Sequence, residues 1–492
     1  MGGESKDMSL IIQKKNIKNI IMSGLVVVAS SMVGVSGANA AACNDDMDCK
    51  SSWLSLTESE KNDVFAFGED YKTFMDKART ELTFVTEAIK IAEANGFKPL
   101  RDDSPMTAGS KYYDNNRDRA VSLIVVGSED FSGGFHVVGA HIDSPRLELK
   151  NVPLYGKGEF ALFQTNYHGG IKRHQWTNIP LALIGRVDKK DGTTVQINIG
   201  MADDDPVFVI PEVSPHTDRG FGNKLVADHL TAEDMDPVVA HIPGVVGDVS
   251  DQVETYLKNT YGISRGDLVS AELALVPAMK SRDMGFDRGL IAAYGHDDRL
   301  AGYASIRAIL DIGTPAKTAI AHLVDNEEVG NVNNTGAKSQ YFSNLISRLI
   351  EAKMGDDMRE TYVRRALSKS RMISIDVNPG INPMRPNAWE PLNGPRLGYG
   401  VNLKLYGRGF NANSEYIAYI RSTLDDANIP WQTATYKVGT AGGGTIGGEF
   451  ARQDMNVIDF GVPVLSIHTP YAVSAKVDVW NLFRACNAFF KK

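Results

Sequence analysis

The sequence predicts a mixed α/β protein, a largely parallel sheet flanked by helices and interrupted by a β-rich insertion. Three observations carry that reading. From about residue 288 onward, apolar β-type runs alternate with helical periodicities: helix over 298–311, strand over 318–325, helix over 338–354, strand over 371–376, helix over 412–427, strand over 463–468 and helix over 475–490. Alternation of this kind indicates parallel strands joined by crossover helices. The stretch 152–285 breaks the pattern, being rich in Pro, Gly and Asp, with Asp203-Asp204-Asp205-Pro206, Pro215, Pro237 and Pro243. Finally, 492 residues suffice for two or three domains. The expected organisation is a leader over 1–40, a first catalytic-domain segment over 41–151, the insertion over 152–285 and a second segment over 286–492.

Taken in order, Lys14, Lys15 and Lys18 precede an apolar run over about 20–35, and Ala38-Asn39-Ala40 follows in the pattern cut by a signal peptidase. The run is shorter than the ~20 apolar residues of a membrane span. Export to a periplasm or the exterior is expected, with no transmembrane segment in the mature chain. A cut before Cys43, giving a lipid anchor, is the alternative. Cys43 and Cys49 could close one small loop, and Cys486 stands far away; three cysteines make no disulfide framework for a chain this long. Residues 56–97 read as helical, with Phe74, Ala78, Leu82, Val85 and Ile89 at three- and four-residue spacing and Gly96 at the stop. Short β-rich runs follow at 121–127, 135–141, 181–187, 195–199 and 207–210.

Composition excludes little. Lys+Arg number 52 against 60 Asp+Glu, a net charge of −8, and no basic stripe interleaved with aromatics points to nucleic acid.

The chemistry lies in five short segments. His141-Ile142-Asp143 closes one predicted strand, Asp297-Asp298-Arg299 opens a helix, Asp325-Asn326-Glu327-Glu328 closes a second strand, Asp376 a third and His468 a fourth. Open α/β sheets gather their ligands beyond the carboxyl ends of their strands, so four of these segments converge and the fifth starts a helix nearby. Singly each has a plain reading: Asp-Asp-Arg as a helix N-cap, Glu-Glu as a solvated face, His136 or His322 as satisfied core histidines. Together, carboxylates crowded at strand ends would repel one another without cations. Imidazole plus carboxylate without thiolate suits Zn, Mn or Co. Two His with at least three carboxylates exceed one tetrahedral zinc and suit a bridged pair of divalent ions. A carboxylate outside the ligand set must then move the proton of a water, and Glu327 fits that role. The reading is a hydrolase. A related two-metal amidohydrolase or carboxypeptidase, and a non-catalytic metal-binding oligomeric scaffold, remain as alternatives.

At these residues the sequence resembles the aspartyl aminopeptidase family, zinc-exopeptidase-like enzymes that form tetrahedral dodecamers. The resemblance runs from about residue 60 to 492 and rests on Gly139-Ala-His-Ile-Asp-Ser-Pro145, Asp325-Asn-Glu-Glu-Val-Gly330 with Gly336-Ala337, Gly443-Gly-Thr-Ile-Gly447 and Asp459-Phe-Gly-Val-Pro-Val-Leu-Ser-Ile-His468. It implies two divalent ions per subunit, zinc foremost, held by His141, Asp297 (bridging), Glu328, Asp376 and His468. It also implies Glu327 as general base and Asp143 as the group that orients His141. Lys404 is implied as the charge that reads acidic N-terminal side chains of peptide substrates. His216 is implied as a histidine offered to a neighbouring subunit, and the insertion as a β-rich dimerisation domain of a homo-oligomer. His168 and His174 receive no role. The chain departs from the family at Asp298, where Asn is usual, and after Asp376 and His468, so the preferred N-terminal residue is left open.

Overall fold

A computed structural model describes residues 50–492, apart from 246, 408, 440 and 441. The expected leader and the Cys43–Cys49 pair lie outside the described residues.

The chain opens with two helices where one was expected. Glu58–Lys77 and Glu81–Ala94 are separated at Ala78-Arg79-Thr80. Thr57 and Thr80 are the reason: each hydroxyl accepts from the third residue of its own helix, whose side chain returns to the cap nitrogen, so Thr80 starts a new helix. Gly96, at φ 84°, ends the second, with its N–H bonded to Glu93 O and that of Phe97 to Ala92 O.

The large sheet is mixed, with a parallel centre. Its four central strands, in spatial order, are Ala319–Val324, His136–His141, Arg371–Pro379 and Asn456–Leu465, all mutually parallel. Ala120–Val125 and Lys111–Asn116 extend it antiparallel on one side, Ala472–Ala475 and Leu290–Ala293 on the other. Every residue of Ala319–Val324 and of His136–His141 is buried, as expected of strands covered on both faces. The helices His296–Leu310 and Lys476–Lys491 pack against each other and the sheet, and Cys486 is buried among their apolar side chains.

Within 152–285 the structure is β-rich, and the strands begin earlier. A six-stranded antiparallel sheet runs in the order Thr194–Ile199, Leu181–Asp188, Ala271–Pro277, Arg146–Lys157, Phe160–His168, Val238–Ala240. It has its own apolar core around Leu147, Trp176, Leu183 and Leu275. Residues 207–210 form no strand; Phe208 and Val209 make isolated bridges to Leu181 and Val238.

The two histidines read as core residues are both buried. His322 pairs with Ser122 Oγ at 2.8 Å and His136 stacks on Phe489 at 5.0 Å. Burial, the main cause, pushes the first down to about 3 and the second, beside Arg371, down to about 4. Both folded-state values lie below the unfolded value, so the stability they contribute is full above about pH 6.5 and falls as pH drops toward 4. At pH 5 each costs on the order of 2 kcal/mol. Melting the protein at pH 7.5 and pH 5 checks this: the drop in stability is expected to shrink by about that amount in His322→Gln.

Candidate metal centre

The site is built where the parallel strands end. Val324 pairs with His141, and Ser374 with Gly139, which sets Asp376 level with His141 on the adjoining strand. Gly461 opposes Asp376; a Cβ there would lie 1.6 Å from the Asp376 carbonyl oxygen, so only glycine lets the strands close at this point. Asp297 arrives from the start of His296–Leu310, whose second and third residues, Asp297 and Asp298, are not helical.

His468 corrects the expectation that it closes a strand. The strand ends at Leu465, and His468 sits beyond it in a turn at φ 64°. Asp459, well before the His468 turn, is inside this strand rather than ahead of it.

The two imidazoles share one arrangement. His141 Nδ1 lies 3.1 Å from Asp143 O and 3.2 Å from Asp143 Oδ1; His468 Nδ1 lies 2.7 Å from Gly170 O. Those partners only accept, so each Nδ1 carries the proton and each Nε2 faces inward. His141 Nε2 is 3.3 Å from Asp297 Oδ1 and 3.7 Å from Asp376 Oδ1. His468 Nε2 is 3.0 Å from Asp297 Oδ2 and 3.5 Å from Glu328 Oε1. Asp297 thus divides its two oxygens between the two imidazoles.

Electrostatics describe a nest short of positive charge. Burial pushes the Glu328 carboxyl well above the usual range, and the neighbouring Asp297 adds to it. His141 is raised although burial alone would lower it, because Asp143, Asp297 and Asp376 surround it. Glu328 Oε1, Asp376 Oδ1 and both oxygens of Asp298 are buried with no hydrogen-bond partner. Orphaned buried carboxylate oxygens beside inward-facing imidazole nitrogens fit a divalent cation. Two overlapping groups have ligand atoms within 4.8 Å of one another: His141 with Asp297 and Glu328, and His141 with Asp298 and Asp376.

Glu327 and Glu328 occupy one 3-10 turn, Glu327–Val329, entered through Asn326 at φ 63° and left through Gly330 at φ 99°. Asp143 ties it down: its Oδ1 accepts from Glu327 N and its Oδ2 from Glu328 N, both at 3.1 Å. The turn sends the two adjacent side chains in different directions. Only Glu328 reaches His468, whereas burial pushes Glu327 up to about 7, with Asp376, Asp143 and Asp297 contributing in the same direction.

Lys404 ends the strand Val401–Lys404, opposite Asp459, and is buried with its Nζ 5.3 Å from the centre of the Tyr436 ring. Burial would lower this ammonium, but Tyr436, Asp376, Asp459 and Glu327 outweigh it and hold it above its ordinary value. His216 takes no part in the cluster of its own chain; it is exposed on the insertion, its N–H 3.3 Å from Ser214 Oγ.

Sequence reasoning missed two residues. Asp298 lies buried within the metal-type cluster; its signals in the sequence were its place beside Asp297 and its departure from the family's usual Asn. His168 donates from Nε2 to Asp143 Oδ2 at 2.8 Å. It ends a strand just before Gly169-Gly170, which was its only sequence signal.

An open sheet with a parallel centre, two inward-facing imidazoles and crowded carboxylates at its strand ends define a metallohydrolase. The family model for aminopeptidase I zinc metalloprotease (M18) matches residues 74–490. The chain is 38% identical over 455 residues to a protein of Clostridium acetobutylicum described as a probable M18 family aminopeptidase 1, covering 89% of this chain and 97% of that one. It superposes on the crystal structure of an M18 aminopeptidase from Thermotoga maritima with a TM-score of 0.86 at 36% identity, covering 90% and 99% of the two chains. A structure of the Saccharomyces cerevisiae mApe1 dodecamer shares the fold, with a TM-score of 0.71 at 22% identity. The chain belongs to the M18 peptidase family: it is a metalloaminopeptidase.

Proposed function

We propose that the protein removes single N-terminal residues from peptides with two divalent ions per subunit, zinc foremost, sharing Asp297. The single observation that carries this reading is the division of the Asp297 oxygens between His141 and His468. In it, His141, Asp297, Glu328, Asp376 and His468 would hold the two ions. The ions, when bound, supply Lewis acidity to the scissile carbonyl and to a water. Glu327 would take a proton from the attacking water and return it to the leaving amine, a task for a carboxylate beside the ligands and outside their set. Asp143 keeps the His141 ring in the tautomer that presents Nε2, and fixes the turn that aims Glu327.

The test is hydrolysis of Asp-, Glu-, Leu-, Ala- and Lys-p-nitroanilides before and after chelation, with Zn, Mn or Co restored. Activity lost on chelation and regained with metal is expected; cleavage insensitive to chelators, or of N-blocked substrates alone, sinks the reading.

Lys404 is the proposed charge for an acidic N-terminal side chain, supported by its burial beside Glu327 and Asp376. Lys404→Met is then expected to lower kcat/KM on Asp and Glu substrates by about 10- to 100-fold and to spare Leu, as loss of a buried charged hydrogen bond predicts. An equal loss on Asp and Leu substrates would remove Lys404 from specificity. The proposal includes assembly as a homo-oligomer, with dodecamers the expected size, and His216 presented to a neighbouring copy. The exposed Val207, Ile242, Val245 and Tyr256 of the insertion support a subunit contact. Export through the amino-terminal leader is proposed on the sequence pattern alone.

A further inference from the structure

Asp143 is the hinge of the site, and what holds Asp143 comes from the other sheet. Its carboxylate is fully buried and accepts four hydrogen bonds. Oδ1 takes His141 Nδ1 and the Glu327 N–H; Oδ2 takes His168 Nε2 and the Glu328 N–H. Three of these donors belong to residues of the cluster itself. The fourth, the shortest at 2.8 Å, is His168, the last residue of the strand Phe160–His168 in the six-stranded sheet.

His168 is itself gripped. Its Nδ1 lies 3.1 Å from Glu148 Oε1, so carboxylates face both ring nitrogens. Glu148 Oε1 also takes Arg146 Nη2 at 2.9 Å, and Arg146 Nη1 lies 2.9 Å from Glu81 Oε2, on the helix Glu81–Ala94. Arg146 and His168 are register partners, which places the chain Asp143–His168–Glu148–Arg146–Glu81 across the junction of the two sheets. A ring bonded at both nitrogens between two anchored carboxylates has little freedom to turn. Two residues further on, Gly170 O accepts from His468 Nδ1, so one short segment at the end of this strand holds the orienting partner of His141 and itself orients His468.

We propose that His168 is a positioning residue for the metal centre, acting through Asp143 to fix both the His141 ring and the turn that carries Glu327 and Glu328. Its ring contacts are Asp143 and Glu148, neither of them among the proposed metal ligands. The inserted sheet thereby contributes to catalysis within its own subunit. This rests on the reading of the His141–His468 cluster as the metal centre.

The experiment compares His168→Leu, His168→Gln and Glu148→Gln in the full, assembled protein. It measures kcat and KM, zinc affinity by competition with a chromogenic chelator, the visible spectrum of the Co(II) form, and the melting temperature. Loss of a partner to a ligand-orienting group weakens metal binding or activity by about 10- to 100-fold. His168→Leu is therefore expected to lose that much in kcat and in zinc affinity, with KM within about twofold and an altered Co(II) spectrum. His168→Gln keeps one N–H for Asp143 and is expected to recover to within about fivefold. Glu148→Gln is expected to lower kcat by roughly threefold to tenfold at an unchanged melting temperature. Parental kcat and affinity in His168→Leu overturn the proposal. So does equal damage in the Leu and Gln variants with equally lowered melting, which assigns the ring to packing. If His168→Leu does not fold, parental kcat in Glu148→Gln overturns it. His141→Ala separates the two readings: full metal retention there refutes the metal centre itself, whereas metal loss there alongside a parental His168→Leu refutes His168 alone.

Discussion

Replacing Glu327 by Gln is expected to leave bound metal unchanged and to lower kcat by about 100- to 10,000-fold, the range a positioned general base supplies. The substitution keeps the shape of the side chain and the Glu327 N–H bond to Asp143, so the turn that carries Glu328 stays in place. What is lost is a group that can accept a proton from water and deliver it to the amine. Glu327 suits that exchange because it sits on the same turn as Glu328 without reaching His468, and burial favours its taking up a proton. KM should move little, since the proposed role lies in the transition state. The check is metal content by elemental analysis beside steady-state kinetics. A variant with full metal and parental kcat takes the base role away from Glu327.

The second large effect is expected at Asp297. Asp297→Asn keeps the volume but gives one oxygen in place of two, where each now serves a different imidazole, at 3.3 and 3.0 Å. It also removes a negative charge from the one carboxylate that, among the described residues, pairs with both His141 and His468. Metal affinity is expected to fall by more than the roughly 100-fold typical of an outer partner, and activity with it. The melting temperature measured with chelator present is expected to fall modestly, because against the effect of burial the hydrogen bonds from His141 and His468 hold the Asp297 carboxyl well below its ordinary range, so its charge contributes to the fold. Retention of two ions per subunit in Asp297→Asn would end its assignment as a bridge. The two variants separate the roles: one removes proton transfer with the ions in place, the other removes the ions.

Much of this was legible along the chain, for a local reason. Strands covered on both faces read as unbroken apolar runs, and the polar residue that ends such a run stands out; His141, Glu327-Glu328 and Asp376 were found in this way. Caps were less legible. The break at Ala78-Arg79-Thr80 was hidden because Phe74, Leu82 and Val85 keep helical spacing across it, and Thr80 shows its hydroxyl only once the second helix has turned toward it. The strand Asn456–Leu465 was placed too late, since its first half, Asn456-Val-Ile-Asp459, carries an Asp that reads as a loop residue. That Asp is buried beside Lys404, and burial pushes it up to about 7, a setting invisible without the neighbouring strand.

The sequence by itself determined the α/β alternation, the presence of a β-rich interruption and the residue types that point to divalent metal, because hydrophobic period and strand-end polarity are properties of neighbours in the chain. The family resemblance already implied a bridging Asp297 and separate roles for Glu327 and Glu328; only the tertiary structure decided which nitrogen of each histidine faces inward, that each Asp297 oxygen meets a different imidazole, and that His168 reaches Asp143 across 25 residues and between two sheets. Apart from the His141–Asp143 contact, those features are set by polar contacts between segments distant in sequence. Their partners are fixed by how the sheets pack, and the order of the residues along the chain carries no trace of them.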